Sequence, residues 1–316
     1  MLTGGGQVGN KVNVVCVASW NVDLVAHISE PLRRGETKLA SAFERLPGGK
    51  GSNAAIAAAR MGARVGLIAR IGGDDFGQMG LDLWQQEKID TTHVVRANNE
   101  ANGTALILVY ADGDNAIAVY PGAGAGLTPV HVESADDMVS NAKVVMASCE
   151  VPLAATQTAF QLARQAGVIT LLNPAPAIPI PDEFWPLIDV ITPNEEELLK
   201  LANVYTHDLD SAANQLLEKG VGAVVVTLGE KGCALYRPKL AVHLVAGHSM
   251  EVRDTIGAGD TFTGALAASL SMDFSWEQSL RLANAAAALS TQAHGAVSAM
   301  PQREELESWL ETIMSA

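Results

Sequence analysis

The sequence is poor in cysteine and in cations, and it has no long apolar run. Its three cysteines, Cys16, Cys149 and Cys233, are far apart, and each lies in an apolar stretch. They form neither a CxxC pair nor a Cys/His cluster, which argues against a disulfide framework or a zinc site and favours reduced thiols in a core. No apolar run approaches the length that crosses a bilayer, and the first residues lack the pattern of a signal peptide. We therefore expect a cytoplasmic protein.

Positive charge is also scarce. The 316 residues include 21 Lys and Arg against 35 Asp and Glu, so the formal net charge is −14. A field of this sign repels phosphate backbones and anionic lipid surfaces, so we expect neither a nucleic-acid nor a membrane partner. Small anions remain suitable ligands, because local N–H groups and bound cations can hold them. Apolar residues are abundant: 48% of the chain is hydrophobic, enough for the core of a large α/β protein.

A glycine-rich stretch at residues 4–9, GGGQVG, fits the dinucleotide pattern G-x-G-x-x-G. That pattern must follow a strand and open a helix, whereas this stretch precedes the first expected strand. A dinucleotide-dependent oxidoreductase is therefore disfavoured. We interpret residues 1–11 as a disordered leader.

The rest of the chain alternates between strand and helix patterns. Residues 12–18 form a continuous apolar, β-branched run typical of a strand buried on both faces. A helix is expected from Ser52, with Ser52 and Asn53 at its cap and Gly62 after its last turn. The later alternation comprises strands in ARVGLIARIG, AKVVMAS, VITLLN, DVITP and GAVVVTLG, and helices at 152–166, in NEEELLKLA and at 209–219. This order predicts a mostly parallel sheet with helices on both faces.

Two segments interrupt this rhythm. Residues 22–47 and 102–121 have the pattern of strands joined by polar turns, the second with a hairpin around ADGDN. Because they have no helix to cover a second face, they predict a small antiparallel sheet that acts as a lid over a cleft or as a dimer contact. The last part of the chain is helical, with two apolar stripes expected to face the core: Trp276, Leu280, Ala283 and Ala287, and then Leu306, Trp309, Leu310 and Ile313.

The stretch DTIGAGDTFTG, residues 254–264, puts small residues and acids at the start of a helix. Gly257, Ala258 and Gly259 allow a ligand close to their backbone N–H groups, and a helix N-terminus favours an anion. Beside such an anion, Asp260 is suited to accept a proton from an attacking hydroxyl. The alternative is a glycine turn followed by an ordinary first-turn acid. This stretch alone leaves both interpretations open.

Two further stretches carry residue types that bind polar ligands. In LPGGKGSN, a glycine pair precedes Lys50 and a helix whose first turn holds Asn53. This order suits a polyhydroxylated ligand and is not a Walker A loop. In NVD, Asn21 and Asp23 follow the first strand, at the sheet edge where open α/β proteins bind ligands. Each stretch alone is also compatible with an ordinary loop or turn.

Together, these stretches resemble the signatures of the ribokinase family of sugar kinases, the PfkB type. The resemblance extends over residues 12–313, and its two glycine signatures lie about 200 residues apart, as in the family. It implies a ribokinase-like, three-layer α/β fold in one domain, with the strands of 22–47 and 102–121 inserted as the β lid. It also implies transfer of the γ-phosphate of ATP to a primary hydroxyl of a sugar, with ATP and Mg²⁺ as cofactors.

The resemblance further implies roles for individual residues. Asp260 matches the catalytic base, with an anion hole formed by Gly257, Ala258 and Gly259. The positions that match sugar contacts are Asn21, Asp23, Gly49, Lys50, Asn53, Glu150 and Asp260. The positions that match nucleotide contacts are Asn194, Thr227, Gly229, Gly232, Gly257, Gly259 and Asn284. Asn194 and Glu197 would also organise Mg²⁺ through water; without the resemblance, their NEEE segment is a solvated helix start.

A monovalent cation site is implied as well. The matching positions, mostly through backbone carbonyls, are Asp254, Ile256, Ser290, Ala293, Gly295 and Ala299. Ala299 has no hydroxyl, so only its backbone can serve as a ligand. We expect activation by K⁺ that relies on carbonyl oxygens.

Within the family, GGKGSN and the NPAPA at residues 173–177 resemble the ribose kinases, so ribose is the expected acceptor. The alternatives are fructose, deoxyribose or an adenosine-like nucleoside, and a non-catalytic sugar- or nucleotide-binding regulator. A few residues near the sugar decide between such isomers, and we expect them in Trp20 and the lid segments. The strand edges of the lid favour a homodimer, although an isolated lid also fits the sequence.

Overall fold

The computed structural model describes residues 11–315, with side chains through residue 312. The GGGQVG stretch and all of the expected leader except Lys11 lie outside the described residues. The strands are β1 (Val14–Ala18), β2 (Asn21–His27), β3 (Ala42–Gly48), β4 (Val65–Gly72), β5 (Asp90–Ala97), β6 (Gly103–Val109), β7 (Asn115–Tyr120), β8 (Val144–Ser148), β9 (Ile169–Asn173), β10 (Val190–Ile191), β11 (Ala223–Thr227), β12 (Gly232–Tyr236) and β13 (His243–Ala246). The helices are α1 (Lys50–Arg60), α2 (Asp75–Gln86), α3 (Pro129–Glu133), α4 (Asp136–Ser140), α5 (Leu153–Gln165), α6 (Glu195–Leu201), α7 (Leu209–Glu218), α8 (Ala258–Ser271), α9 (Trp276–Ser290), α10 (Ala296–Ala299) and α11 (Arg303–Ser315).

A nine-stranded sheet forms the centre of the fold, in the order β13-β12-β11-β10-β9-β8-β1-β4-β5. The strands from β11 to β5 are parallel. β12 runs antiparallel to β11, and the edge strand β13 runs antiparallel to β12. In β1, Val15 and Val17 point to one face, where α5, α6 and α7 pack, whereas Cys16 points to the other, under α1, α8 and α9. Burial on both faces accounts for the continuous apolar run of this strand. The expected three-layer α/β architecture is confirmed.

A second sheet, the lid sheet, has the order β3-β2-β6-β7. The outer pairs are antiparallel, as expected, and the central pair β2–β6 is parallel. The expected hairpin around ADGDN is confirmed, with the Tyr110 N–H donating to the Asp114 carbonyl at 2.9 Å. Because β2 follows β1 after only Ser19 and Trp20, the lid sheet rises directly from the carboxyl edge of the central sheet.

The expected cap of α1 is wrong. The helix begins at Lys50, and its N-cap is Gly49 at φ 93°, a backbone conformation that favours glycine. Ser52 and Asn53 lie inside the first turn and are buried, because their side chains serve tertiary contacts; the Ser52 hydroxyl accepts the indole N–H of Trp84 at 2.8 Å. A cap pattern in the sequence cannot reveal such a competing use of the side chain.

The expected placement of Trp20 near the substrate also needs correction. The side chain is 2% exposed, packs edge-on against Trp84, and donates its indole N–H to the carbonyl of Phe76 at 2.9 Å. Trp20 is therefore a core residue.

The remaining expectations on packing agree with the structure. Both apolar stripes of the C-terminal helices pack on the core, as far as their side chains are described; the side chain of Ile313 lies outside the described residues. The cysteines are free and buried. Across residues 11–315, every helix is too short or too polar to cross a bilayer.

Candidate active site

The carboxyl ends of β1, β8 and β9 meet the N-terminus of α8, and this junction surrounds Asp260. Asp260 is buried, with 5% of the residue exposed. Its Oδ2 accepts the side-chain amide of Asn53 at 3.0 Å, and its Oδ1 accepts that of Asn173 at 3.2 Å. The two amides fix the carboxylate and leave each oxygen with a further lone pair. The structure thus brings together Asp260 and Asn53, which the sequence analysis assigned to one site.

The electrostatic surroundings of Asp260 suit proton transfer. Burial raises its pKa to about 6, although the charge of Lys50 and the hydrogen bond from Asn53 oppose the rise; Glu150 and Glu197 add to it. At neutral pH the carboxylate is therefore ionised, with a pKa close enough to the working pH to accept a proton.

The start of α8 presents backbone donors next to this carboxylate. Its N-cap, Gly257, is left-handed at φ 77°, and the first intrahelical bond runs from the Thr261 N–H to the Gly257 carbonyl at 2.8 Å. The Ala258 N–H, expected in the anion hole, instead donates to the Thr255 carbonyl at 3.2 Å. The amides of Gly259 and Asp260 precede the first intrahelical bond and point out of the helix end. A Cβ added at Gly259 would meet nothing within 4 Å. Open space beside unbonded amides at a helix N-terminus fits an anion.

Asp23 and Asn53, two of the positions expected to contact a sugar, offer polar atoms to a ligand. A Cβ at Gly48 would lie 2.6 Å from an oxygen of Asp23, so the glycine makes room for that carboxylate. Burial, then the charge of Glu150, raises the pKa of Asp23 to about 6 against the opposing charge of Lys50. Asn53 Oδ1 is buried without a hydrogen-bond partner among the described residues. It is an acceptor left for a hydroxyl of a ligand.

Glu150 and Lys50 lie close enough to Asp23 for their charges to act on its carboxylate. Glu150 Oε2 accepts the hydroxyl of Ser19 at 2.7 Å and the backbone N–H of Lys50 at 2.8 Å, and so caps α1. Burial acts to lower the pKa of Lys50, but four carboxylates, foremost those of Asp260 and Glu150, outweigh it and hold that pKa above its usual value. The side chain is thus a cation at the centre of an acidic cluster.

Asn194 and Glu197 form the start of α6. The Asn194 side chain accepts the Glu197 N–H at 2.8 Å, and Glu197 Oε2 accepts the Asn194 N–H at 2.9 Å, which is a capping box. The helix-start interpretation of NEEE is confirmed. It does not compete with a metal role, because the bond to Asn194 occupies only one carboxylate oxygen of Glu197.

A cavity of about 260 Å³ adjoins the start of α8. Five positions expected to contact a nucleotide line it: Thr227, Gly229, Gly232, Gly259 and Asn284. Ala258 also lines the cavity, so the cavity reaches the residues that precede Asp260. The rest of the lining was not predicted from the sequence. It comes from the turn between β11 and β12, from the chain after β13, and from α8 and the end of α9: Glu230, His248, Ser249, Met250, Val252, Thr255, Phe262, Ala287, Ala288 and Thr291.

The expected cation positions lie where the loop before α8 meets the loop after α9. Asp254 Oδ1 accepts the Ile256 N–H at 2.9 Å, and its Oδ2 accepts the Gly295 N–H at 2.9 Å. The backbone N–H groups of Arg253 and Asp254 also reach the carbonyl of Thr291, next to Ser290. Asp254, Ile256 and Gly295 are therefore brought together, with Ala293 and Ala299 in the flanking chain.

Two residues that hold the carboxylates of the site were also not assigned to it from the sequence. Asn173 holds the second oxygen of Asp260, and Ser19 holds Glu150. Each lies at or just beyond the carboxyl end of a parallel strand, and this position was the signal that could have identified them.

Comparison with known proteins supports one assignment. The model of the pfkB family carbohydrate kinases matches residues 11–303. The chain is 37% identical to the ribokinase of Haemophilus influenzae, over 95% of this chain and 99% of that protein. It is also similar to the structure of Arabidopsis thaliana ribokinase complexed with ribose and ATP, with a TM-score of 0.91 and 31% identity over 95% of this chain and 99% of that one. The chain belongs to the pfkB family of carbohydrate kinases.

Proposed function

We propose that the protein transfers the γ-phosphoryl group of ATP to the primary hydroxyl of ribose, with Asp260 as general base. The observation that carries the proposal is the buried carboxylate of Asp260, held by two amides between the subsite of Asp23 and Asn53 and the cavity that starts at Gly259. The alternative of a non-catalytic regulator has no support, because neither the base nor the amides beside it are lost.

The chemistry follows from this arrangement. The primary hydroxyl of ribose attacks the γ-phosphorus, the bond from that phosphorus to the bridging oxygen of ADP breaks, and the hydroxyl proton passes to Asp260. The amides of Gly259 and Asp260 and the N-terminus of α8 stabilise negative charge on the transferring group. Asn53 and Asn173 keep the receiving carboxylate in place.

Mg²⁺ and K⁺ are part of the proposal. The residues fit them, since Glu197 keeps a free carboxylate oxygen, and since both carboxylate oxygens of Asp254 accept backbone N–H groups, which leaves backbone carbonyls as the ligands for a cation there. Asn194 and Glu197 would hold Mg²⁺ through water, which supplies neutralisation of charge on the phosphates. K⁺ would bind at the carbonyl-rich positions Asp254, Ile256, Ser290, Ala293, Gly295 and Ala299, beside the start of α8.

The lid sheet suggests a homodimer. By the strand register, Ile117 and Val119 of β7 lie on the same sheet face as Asp23, and both are more than half exposed. Exposed apolar residues on a sheet that borders a ligand site are typical of a contact surface. We infer that a second copy of the chain covers this face.

We also infer that residues 12–313 form one kinase domain and that the protein acts in the cytoplasm.

The test measures ADP release with ribose, deoxyribose, fructose and adenosine as acceptors, in the presence and absence of K⁺. Asp260→Asn is the blank, and Asp75→Asn, an exposed first-turn acid of α2, is the matched control. We expect the highest kcat/KM with ribose, a loss of about 10²–10⁴ in kcat for Asp260→Asn, and full activity for Asp75→Asn. Activity that is independent of the sugar, or equal in both variants, would overturn the proposal.

A further inference from the structure

The segment of residues 295–300, here called the α10 segment, contacts both sides of the loop that leads into α8. At one side, the Gly295 N–H donates to Asp254 Oδ2 at 2.9 Å. At the other, Ala296 packs against Gly257, where an added Cβ would lie 2.7 Å from the Ala296 methyl. The position of the α10 segment therefore limits where the left-handed turn at Gly257 and the amides after it can lie.

Arg60, the last residue of α1, fastens this segment to the body of the protein. Its Nη1 donates to the carbonyls of Val297 and Met300, both at 2.7 Å. Its Nε and Nη2 donate to the carboxylate of Glu87, at 3.2 and 2.6 Å. The Arg60 side chain is only 13% exposed and that of Glu87 only 15%. The planar guanidinium group of Arg60 donates to the two carbonyls and to the carboxylate at the same time, which the ammonium group of a lysine cannot do.

We propose that Arg60 is a positioning residue for phosphoryl transfer. It acts through the α10 segment on the Gly257 turn and on Asp254, and so aligns the amides that meet the transferring group. The same helix α1 starts at the sugar subsite with Lys50, so it spans the sugar side and the phosphate side of the site as one rigid element. The proposal rests on the proposed kinase function, and it adds a residue that contacts neither substrate.

The competing explanation is that Arg60 only stabilises this corner of the fold. Arg303 provides the matched control, because its Nη1 donates to the carbonyl of Met61 at 3.2 Å, one residue beyond Arg60, and its other hydrogen bonds go to Glu307 and Met272. Both arginines thus anchor the end of α1, but Arg60 also holds the α10 segment, which in turn contacts the loop that leads into α8.

The experiment compares Arg60→Met, Arg60→Lys and Arg303→Met with the unmodified protein, by steady-state kinetics and by hydrogen exchange of the backbone amides of residues 254–260. We expect Arg60→Met to lower kcat by up to about 100-fold with little change in the KM for ribose, since a shift of about 1 Å in an aligned group has such an effect. The kcat of Arg60→Lys should lie between that of Arg60→Met and that of the unmodified protein, and the kcat of Arg303→Met should stay within about threefold of the unmodified protein. Exchange in residues 254–260 should accelerate only in the Arg60 variants.

Because Arg60→Met leaves Glu87 without its partner, the double variant Arg60→Met/Glu87→Gln tests the same point in a protein free of that unpaired charge. Equal kcat and equal exchange in the Arg60 and Arg303 variants would overturn the positioning role. An unmodified protein that phosphorylates no sugar would instead overturn the proposed function, and the exchange comparison would still decide whether Arg60 controls the α8 loop.

Discussion

The buried carboxylate of Asp260 should make the protein more stable as the pH falls from neutral, in contrast to most acids of a folded protein. Its pKa rises from 3.8 to about 6 on folding, mainly through burial. The folded state therefore holds the proton more tightly than the unfolded state does. A difference of this size corresponds to about 3 kcal/mol of destabilisation when Asp260 is fully ionised, and this cost disappears as the pH drops from above 6 toward 3.8.

Part of that window is accessible to experiment. At about pH 5, protonation of the folded state recovers about 1 kcal/mol of the cost, whereas at about pH 7.5 it recovers almost none. Replacement of Asp260 by Asn removes the titration. The difference in unfolding free energy between the unmodified protein and Asp260→Asn should therefore shift by about 1 kcal/mol, in favour of the unmodified protein, between these two pH values.

The assay is urea unfolding of both proteins at both pH values. Titrating groups that do not interact with Asp260 cancel in the comparison, including Asp23, whose pKa is also raised to about 6. Any loss of hydrogen bonds caused by the asparagine is independent of pH and cancels as well. A difference that stays constant, or that moves in favour of Asp260→Asn on acidification, would refute the claim that this carboxylate is desolvated in the folded protein.

Three further predictions follow from the site. The kcat/KM for ribose should fall as the pH drops through about 6, because Asp260 in the free enzyme then holds a proton, and a rate profile that is flat down to about pH 5 would contradict this. Gly259→Ala should keep the melting temperature while it lowers kcat/KM for ATP at least tenfold, since the added methyl meets only open space where the phosphate binds; Gly257→Ala, at φ 77°, should lower both, as thermal unfolding and ADP release would show. Gly48→Ala should raise the KM for ribose about tenfold with a smaller effect on the KM for ATP, because the methyl displaces the Asp23 carboxylate; equal changes in the two constants, measured by ADP release, would contradict this.

The parts of the fold that could be predicted from the sequence are those whose pattern is local. Strands such as β1 are apolar on both faces, and the α/β alternation around them follows from that pattern. By contrast, α2 was missed, since Gly77 and Gly80 lower its helix propensity. Tertiary contacts require a glycine at both positions, because Gly77 lies against the backbone of Gly72 and Gly80 lies against the ring of Trp20. Such contacts leave no periodic trace in the sequence, so the helix could be recognised only after the fold was known.

The residues of the candidate site also differ in whether they could be predicted from the sequence. Asn53 lies 207 residues from Asp260, and its place beside that carboxylate was expected from the resemblance of both glycine signatures to one family, since local geometry relates residues only within each signature. Asn173 is 87 residues from Asp260 in the chain, and its amide reaches the carboxylate only because β9 lies two strands from β1 in the parallel sheet. Strand order is set by packing across the whole domain and not by any one segment. Yet the rule that ligands meet the carboxyl ends of parallel strands applies to every strand, and its use on β9 would have selected Asn173, the last residue of that strand, from the sequence alone.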